Sequence, residues 1–449
     1  MKRVLVANRG EIAARIIKAC RTCGVETVAV YSQPDAASSH SWLADQAFCI
    51  GSAAASNSYL CPDRLIHVAL QSGCDALHPG YGFLSERSEF VDQCHAKGII
   101  FIGPAAEHIR LMGDKAEARK TVKALGVAVV PGSVGSFSDM DEAYATVADN
   151  GYPLLLKARS GGGGRGMRVV VKPSQFHTLF AQARSEAEAA FGDGEIYLER
   201  YFERVRHIEV QIFGDRYGNV RHLGERDCSL QRRHQKLLEE SPSPVLDPST
   251  RESICNAAVK IAQGINYEGA GTVEFIYDIQ SGEYFFIEMN TRIQVEHPVT
   301  EVVTGEDLVA EQIRVAAGEP LSFADRNPGC EGHAIEFRIN AEDPARNFMP
   351  SPGVLTRWLP PSGEGIRFDS HVYQGYTIPP YYDSLLGKLI VYGKDRNEAL
   401  TRARAALQAF EVKGVPTTIP FHLEVIEHAD FINNKIHTRW VETELNEQE

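Results

Sequence analysis

The segment Phe286-Ile-Glu-Met-Asn-Thr-Arg-Ile-Gln-Val-Glu296 carries a polar side chain at every second position of an otherwise apolar stretch. Its even-numbered residues are Glu288, Asn290, Arg292, Gln294 and Glu296. Because successive side chains of a strand point to opposite faces, an extended segment would bury its odd-numbered residues and present these five together. Two acids, two amides and a guanidinium are too many polar groups for a buried surface. We therefore predict that this segment is a strand that forms the floor of an active site.

The residues just upstream form a second candidate strand, 271–278, which is rich in β-branched and aromatic side chains. A turn-like stretch joins the two strands, and a hairpin centred on Ser281 would place Glu274 directly opposite Glu288. Opposed like charges repel, so such a pair shares a proton, leaves the sheet or holds a cation. Two carboxylates with the side-chain carbonyl of Asn290 suit a hard divalent ion, chiefly Mg²⁺, together with substrate phosphates. The alternative is two solvated acids on an exposed face.

The composition excludes several classes of protein. A chain of 449 residues is too long for one ordinary core, so about two to four domains are expected. The net charge is −13, which argues against a nucleic-acid partner. No apolar run approaches the ~18–20 residues that span a bilayer, and the apolar start ends too soon for a signal peptide. The nine cysteines form no regular framework and favour a reducing compartment. We expect a cytoplasmic protein with no membrane or nucleic-acid partner.

Strand and helix patterns alternate from residue 3 to residue 103, which predicts a small parallel α/β sheet with right-handed crossovers. The first strand is not followed by Gly-x-Gly-x-x-Gly, so the dinucleotide-binding fingerprint is absent. Residues 113–202 form a smaller mixed unit, strands dominate from residue 207, and residues 333–341 open a last region. The expected fold class is multidomain, with an α/β part followed by α+β parts.

A run of glycines is the second strong signal, in Lys157-Ala-Arg-Ser-Gly-Gly-Gly-Gly-Arg-Gly166. Four consecutive glycines cost much conformational entropy to order, and they are useful where backbone N–H groups must close over an anion. The loop is not a Walker A motif, because the next element is a strand and no Gly-Lys-Ser/Thr follows. A glycine loop between two strands suits a hinged lid over a nucleotide, with Lys157 as a point charge on phosphate. A surface linker is the alternative.

The stretch Cys228-Ser-Leu-Gln-Arg-Arg-His-Gln-Lys236 concentrates basic side chains in an acidic protein. Such a cluster predicts an anionic ligand. A solvated basic loop is the alternative.

Several motifs, in order along the chain, carry a family resemblance. They are Asn8-Arg-Gly-Glu11, His78-Pro-Gly-Tyr-Gly-Phe-Leu-Ser-Glu86, Met112-Gly-Asp-Lys115, the glycine loop, Glu225-Arg-Asp-Cys-Ser-Leu-Gln-Arg-Arg-His-Gln-Lys236, Glu288-Met-Asn-Thr-Arg-Ile-Gln-Val-Glu-His-Pro298, Arg338-Ile-Asn-Ala-Glu-Asp343 and Pro379-Pro-Tyr-Tyr-Asp-Ser384. Over essentially the whole chain they closely resemble biotin carboxylase. The resemblance implies an ATP-grasp fold with three parts. These are a Rossmann-like pre-ATP-grasp domain over residues 1–112, an ATP-grasp domain over 113–330 with a mobile lid at about 130–202, and a C-terminal biotin carboxylase domain over 331–449.

Carried over by position, the resemblance implies roles for individual residues. The implied ATP contacts are Lys115, Lys157, Gly161, Gly162, Gly163, Gly164, Glu199, Tyr201, His207, Gln231 and His234. The implied ligands of Mg²⁺ or Mn²⁺, at two sites, are Glu274, Glu288 and Asn290. The implied bicarbonate site consists of Lys236, Arg292, Gln294 and the Val295 amide, with Glu296 as the base. Arg338 is expected to face the biotin ureido group, with Tyr81 nearby.

The implied reaction is the ATP-dependent carboxylation of biotin through carboxyphosphate. Bicarbonate is a poor nucleophile until a base removes its proton in a cationic pocket. It then attacks the γ-phosphate of ATP, and a closed lid keeps water from the mixed anhydride. The carboxyl group passes to a biotin nitrogen.

The sequence contains no Met-Lys-Met biotin-acceptor pattern, so biotin is expected on a separate biotin carboxyl carrier protein. Carboxyltransferase subunits are the further expected partners, within an acetyl-CoA carboxylase of fatty acid synthesis. A propionyl-CoA or other acyl-CoA carboxylase remains an alternative. Another ATP-grasp ligase and a nucleotide-binding pseudo-subunit are less favoured, because the acids, lysines and Arg338 form a complete set.

Three departures from familiar relatives bear on the lid and on assembly. Arg159-Ser160 stand where small residues are usual, and Arg200 stands where a lysine is common. Lys18, Thr22 and Glu364 replace an arginine, a glutamate and an aromatic residue of the usual dimer interface. The resemblance therefore leaves the homodimer open.

Overall fold

The computed structural model describes residues 1–133, 135–147, 151–159 and 166–445. Its N-terminal part is a five-stranded sheet flanked by helices. The sheet order is β3-β2-β1-β4-β5, and every neighbouring pair is parallel, as predicted. The strands are β1 (Arg3–Val6), β2 (Glu26–Ser32), β3 (Gln46–Gly51), β4 (Ala76–His78) and β5 (Ile100–Phe101). The helices are α1 (Gly10–Thr22), α2 (His40–Leu43), α3 (Pro62–Gln71), α4 (Ser88–Ala96) and α5 (Ala106–Gly113). Strand β3 was not predicted, because it lies at the edge of the sheet and half of its side chains are exposed.

A small antiparallel sheet follows, in the order β7-β6-β8. This part contains α6 (Lys115–Ala124), α7 (Met140–Ala145), β6 (Leu154–Ala158), β7 (Met167–Val170), α8 (Phe176–Phe191) and β8 (Ile196–Arg200). Helix α8 buries Phe176, Phe180, Ala183 and Ala187, one stripe at helical spacing, against this sheet.

Gly166 closes the β6–β7 hairpin and has a left-handed φ of +69°. A Cβ atom there would lie 2.8 Å from the Cβ of Ala158, so the position requires glycine. The predicted glycine loop itself, Gly161–Gly164, and Ser160 lie outside the described residues.

The largest sheet is antiparallel and has eight strands in the order β13-β12-β9-β10-β11-β14-β21-β19. Its first part contains β9 (Val205–Gly214), β10 (Val220–Arg232), β11 (Gln235–Ser241), α9 (Pro248–Gly264), β12 (Gly269–Asp278) and β13 (Tyr284–Asn290). Two helices follow, α10 (His297–Thr304) and α11 (Leu308–Ala316). The basic stretch around residue 233 is a tight hairpin between β10 and β11, in which Arg233 and His234 both have positive φ.

The C-terminal region supplies the remaining strands of this sheet and three short two-stranded pairs, β15-β16, β17-β20 and β18-β22. Its strands are β14 (His333–Asn340), β15 (Glu342–Asp343), β16 (Met349–Pro350), β17 (Gly353–Val354), β18 (Arg357–Leu359), β19 (Ile366–Ser370), β20 (Thr377–Ile378), β21 (Leu385–Gly393) and β22 (Glu411–Lys413). Its helices are α12 (Arg396–Ala409), α13 (Ile419–Glu427) and α14 (Ala429–Ile432). Among the described helices, none combines the length and apolarity required to cross a membrane.

The hairpin of β12 and β13 confirms one prediction and corrects another. Glu274 is paired directly with Glu288, as predicted, although a bulge shifts the register nearer the turn. The strand ends at Asn290, however, so the prediction of an extended strand up to Glu296 was wrong. Beyond that point the chain turns, because helix α10 begins at His297 with proline in its first turn.

Candidate active site

A cavity of about 1450 Å³ lies where the three larger sheets meet. The structure brings every predicted site residue that it describes to the wall of this cavity. They are Tyr81, Lys115, Lys157, Glu199, Tyr201, His207, Gln231, His234, Lys236, Glu274, Glu288, Asn290, Arg292, Gln294, Val295, Glu296 and Arg338. The segment after Asn290 lines the cavity from bends and turns rather than from an extended strand.

A buried carboxylate, Glu296, lies between two cations. Its Oε1 is 2.6 Å from Lys236 Nζ on β11, and its Oε2 accepts a hydrogen bond of 2.9 Å from Arg338 Nη2 on β14. Burial would raise the pKa of Glu296, but the charges of Lys236 and Arg338 outweigh it and lower the pKa below its usual range. The group is therefore a carboxylate at neutral pH and is able to accept a proton.

Lys236 contacts three carboxylates at once. Its Nζ is 2.5 Å from Glu209 Oε2 and 3.2 Å from Glu274 Oε1, in addition to Glu296. Burial alone would lower the pKa of Lys236, but these acids raise it well above its usual range. The ammonium group is thus a fixed positive charge at the centre of the site.

The opposed acids Glu274 and Glu288 behave differently from each other. Glu274 accepts hydrogen bonds from Asn290 Nδ2 at 2.9 Å and Gln294 Nε2 at 3.2 Å, and lies 3.1 Å from His207 Nε2. Despite burial, the charges of Lys236 and His207 lower the pKa of Glu274 well below its usual range. Burial and the charge of Glu274 raise the pKa of Glu288. An acid held against another carboxylate in this way is a good ligand for a cation.

Arg292 organises the edge of the same surface. Its Nε donates to Glu86 Oε2 at 2.8 Å, and its two Nη atoms donate to Gln294 Oε1 at 2.8 Å and Asn290 Oδ1 at 3.1 Å. Glu86 is the last residue of the motif His78–Glu86 in the N-terminal part, so this contact fixes the turn against that part of the chain. Amides and guanidinium together form a surface suited to a small planar anion.

Two further lysines, Lys115 and Lys157, also line the cavity. Lys115 begins helix α6, whose N-cap is Asp114, and its Nζ is 3.8 Å from Glu288 Oε2. Lys157 on β6 is 2.7 Å from Glu199 Oε2 on β8, and Arg119 Nη1 donates to the other oxygen of Glu199 at 2.6 Å. Burial would lower the pKa of Lys157, but Glu199 raises it, so the lysine keeps its charge.

Three other predicted residues, Tyr81, Tyr201 and His234, also line the cavity. Tyr81 donates its hydroxyl to Glu11 Oε2 at 2.8 Å. The Tyr201 hydroxyl accepts a hydrogen bond of 2.6 Å from Arg439. His234 lies in the tight β10–β11 turn.

Three protein-family models together match most of the chain. The family model described as "Biotin carboxylase, N-terminal domain" matches residues 1–109, "Carbamoyl-phosphate synthase L chain, ATP binding domain" matches 114–324, and "Biotin carboxylase C-terminal domain" matches 336–443. Biotin carboxylase 1 of Bacillus subtilis is 53% identical over 443 residues, which cover 99% of this chain and 98% of the relative.

The chain belongs to the biotin carboxylase family.

Two solved structures of family members overlay closely on this chain. A biotin carboxylase from Campylobacter jejuni, described as a complex with beta-gamma-ATP, is 47% identical, with a TM-score of 0.94 and 98% of each chain covered. The biotin carboxylase domain dimer of a 2-oxoglutarate carboxylase from Hydrogenobacter thermophilus, in complex with MgADP, ADP and bicarbonate, is 49% identical. Its TM-score is 0.92, and the match covers 98% of this chain and 97% of that one.

As a biotin carboxylase of the ATP-grasp superfamily, the chain is a ligase that carboxylates biotin with ATP, Mg²⁺ and bicarbonate. Glu274 and Glu288 fit a divalent cation, because the two carboxylates are paired directly across neighbouring strands, where like charges repel unless a cation lies between them. Glu274, Glu288 and the Asn290 carbonyl are oxygen donors that Mg²⁺ prefers.

Sequence reasoning missed several members of this biotin carboxylase site. Glu209 bridges Lys236 and the fully buried Arg226 through its two oxygens, and Lys388 donates to the Val295 carbonyl at 2.9 Å. A signal for Glu209 was present, because His207-Ile-Glu-Val-Gln211 alternates polar and apolar residues in a predicted strand. Lys388 occurs in an otherwise apolar strand and is fully buried, a combination that indicates a buried ion partner.

Proposed function

We propose that Glu296 removes the proton of bicarbonate and that Lys236, Arg292, Gln294 and the Val295 amide hold the resulting anion. The observation that carries the proposal is the position of Glu296, an ionised carboxylate between Lys236 and Arg338. A base of this kind must be within hydrogen-bond reach of the proton that it takes, and the neighbouring cations stabilise the negative charge that develops.

The same proposal assigns the nucleotide to the other side of the cavity. Lys115 and Lys157 would contact its phosphates, and Glu199, Tyr201, His207, Gln231 and His234 would line the nucleotide path. Glu274, Glu288 and Asn290 would hold the Mg²⁺ or Mn²⁺ ions, which supply charge neutralisation at the phosphates when bound. In the present arrangement Lys157 and Arg119 each contact one oxygen of Glu199. A phosphate that draws Lys157 away would free one of these oxygens to bind the nucleobase of ATP.

Arg338 is the proposed residue of the second half-reaction. When the biotin nitrogen attacks, negative charge develops on the ureido oxygen, and a guanidinium at that position stabilises it. Tyr81 lines the same cavity and is oriented by its hydrogen bond to Glu11. Biotin would therefore enter between the N-terminal part and β14.

The proposed roles are tested by measuring ATP hydrolysis with and without bicarbonate and free biotin. We expect hydrolysis to require bicarbonate, and we expect radiolabelled bicarbonate to be transferred to free biotin. Bicarbonate-dependent ATP hydrolysis in the Glu296→Ala variant equal to that of the unchanged chain would contradict the assignment of the base.

We further propose that the chain serves acetyl-CoA carboxylase, receives biotin on a separate biotin carboxyl carrier protein and works with carboxyltransferase subunits. Support comes from relatives named as biotin carboxylases, of which the match covers 98% of the length. The dimer of the Hydrogenobacter relative favours a homodimer here, and the domain boundaries near residues 112 and 330 belong to the same proposal.

The parent complex is tested with carboxylated carrier protein and separate carboxyltransferases. Acetyl-CoA, propionyl-CoA and 2-oxoglutarate would be offered as acceptors, each with its own transferase. Transfer to acetyl-CoA is expected. Selective pairing with the 2-oxoglutarate transferase would overturn this assignment and leave the biotin carboxylase activity intact. Analytical ultracentrifugation measures the dimer independently.

A further inference from the structure

Two glutamates face each other on neighbouring strands beside Arg338. Glu239 of β11 is paired directly with Glu336 of β14, and both side chains are fully buried. Directly opposed residues of antiparallel strands have Cβ atoms about 4.5–5.5 Å apart, and like charges there repel. Arg338 follows two residues after Glu336, on the same face of the sheet, and its Nε donates to Glu239 Oε1 at 2.7 Å.

Three carboxylate oxygens of this pair have no hydrogen-bond partner among the residues that the structure describes. They are Oε2 of Glu239 and both oxygens of Glu336. Burying an ionised carboxylate without a partner is very unfavourable, and the usual outcome is that the group takes up a proton. The pair therefore differs from Glu296, whose two oxygens each contact a cation.

The cations that face the pair are already engaged. They are Arg338, Lys236 and Lys388, and Lys388 is opposite Arg338 on β21. Their acceptors are Glu239 and Glu296 for Arg338, Glu209, Glu274 and Glu296 for Lys236, and Glu11 and the Val295 carbonyl for Lys388. No cation is therefore left to balance a second ionised member of the pair among the described residues.

We propose that the pair Glu239 and Glu336 holds one proton, carried by Glu336, and that Glu239, left ionised, positions Arg338 for the carboxylation of biotin. Burial and then the charge of Glu239 raise the pKa of Glu336 well above its usual range, although Lys388 opposes the shift. Burial also raises the pKa of Glu239, to about 7, against the opposing charge of Arg338. Glu336 is thus the stronger holder of the proton.

The neutrality of Glu336 has a consequence for Arg338. An ionised Glu336 would be a third carboxylate on the same sheet face, and it would compete with Glu239 and Glu296 for the guanidinium. A neutral Glu336 leaves Arg338 fixed between the other two, with its charge directed to the cavity. Glu239 is the positioning residue, and the inference rests on the proposed role of Arg338 in the second half-reaction.

The first test compares Glu336→Gln with Glu239→Gln in the full chain. Glutamine has the shape of a protonated glutamate, so Glu336→Gln is expected to fold and to retain both bicarbonate-dependent ATP hydrolysis and biotin carboxylation. Glu239→Gln removes the charge that binds Arg338 and is expected to lower biotin carboxylation roughly 10- to 100-fold, with a much smaller effect on ATP hydrolysis. Loss of folding or of biotin carboxylation in Glu336→Gln would overturn the proposal, because a neutral replacement would then fail.

Infrared difference spectroscopy locates the proton without any substrate. The unchanged chain near neutral pH is expected to show the carbonyl stretch of a buried protonated carboxyl group that disappears in Glu336→Gln and persists in Glu239→Gln. A spectrum with no band that depends on Glu336 would overturn the proposal. Because this readout needs no turnover, a chain that shows the band but whose Arg338 variants carboxylate biotin normally would refute the role of Arg338 and leave the proton on Glu336.

Discussion

Arg338 and Glu296 are in contact, yet the proposed chemistry requires them at different times, which allows a sharp test. Glu296 acts on bicarbonate before phosphoryl transfer, whereas Arg338 acts when biotin becomes the nucleophile. Replacing Arg338 by glutamine should therefore spare bicarbonate-dependent ATP hydrolysis more than biotin carboxylation. Replacing Glu296 by alanine should depress both.

The expected magnitudes follow from the contacts. In Arg338→Gln, Glu296 keeps Lys236 at 2.6 Å and remains a base, but it loses the 2.9 Å hydrogen bond from the guanidinium. One charged hydrogen bond is worth about 1.5–3 kcal/mol, so ATP hydrolysis should fall by roughly 10- to 100-fold at most. Biotin carboxylation should fall further, because losing a donor aimed at a developing oxyanion costs about 10²–10³-fold on top of this. In Glu296→Ala the loss of a general base costs about 10²–10⁴-fold in both activities.

The assay measures ADP release by coupled enzymes and fixation of radiolabelled bicarbonate on free biotin in the same samples. Arg357→Gln is a matched control, because Arg357 forms a half-exposed pair with Glu411 and does not line the cavity. The ratio of the two activities is the decisive quantity. Parallel loss of both activities in Arg338→Gln, combined with surviving biotin carboxylation in Glu296→Ala, would refute the division of roles.

Three further outcomes are expected. Glu288→Gln should lower ATP turnover about 10²–10³-fold at limiting Mg²⁺, because it removes one carboxylate of the opposed pair. If a Mg²⁺ titration shows the same turnover as in the unchanged chain, the metal binds elsewhere. Glu209→Gln should destabilise the fold by roughly 3–5 kcal/mol in urea denaturation, since Arg226 and Lys236 would lose a buried counter-charge, and an unchanged midpoint would contradict the network. Burial lowers the pKa of His40 from 6.5 to about 4. Between pH 6.5 and pH 4 the unfolded chain therefore binds a proton at His40 that the folded chain does not bind. The folded state loses roughly 3 kcal/mol of stability as the pH falls through this range. The loss of stability on acidification should be smaller in His40→Gln, and an equal loss in both proteins would assign it to other groups.

Much of the local structure followed from short-range pattern. The alternation of strands and helices predicted the parallel N-terminal sheet, and the hairpin symmetry placed Glu274 opposite Glu288. Both inferences depend on neighbours in sequence, for which the period of the side chains and the length of the turn are sufficient. The edge strand β3 was not predicted, because exposed edges carry no alternating apolar pattern.

The turn after Asn290 was beyond this kind of reasoning. Polar residues at alternating positions predict a strand wherever the chain stays extended. Here a helix begins at His297, and Glu86 binds both the Thr291 amide and Arg292. The contact with Glu86 joins residues more than two hundred positions apart. The pattern of one sequence segment cannot predict a contact with such a distant residue.

The ionisation of Glu239 and Glu336 is even harder to predict from the sequence. Glu239 becomes the partner of Arg338 only because β11 and β14 are neighbours in the large sheet, and this pairing also brings Glu336 against Glu239. In the sequence these glutamates are ordinary acids of two separate strands. Their proton and their effect on Arg338 arise from pairing and burial together, since a solvated glutamate at either position would be ionised and would leave the guanidinium free. The cavity wall could thus be predicted from motifs, whereas the ionisation states that make it reactive depend on the strand order.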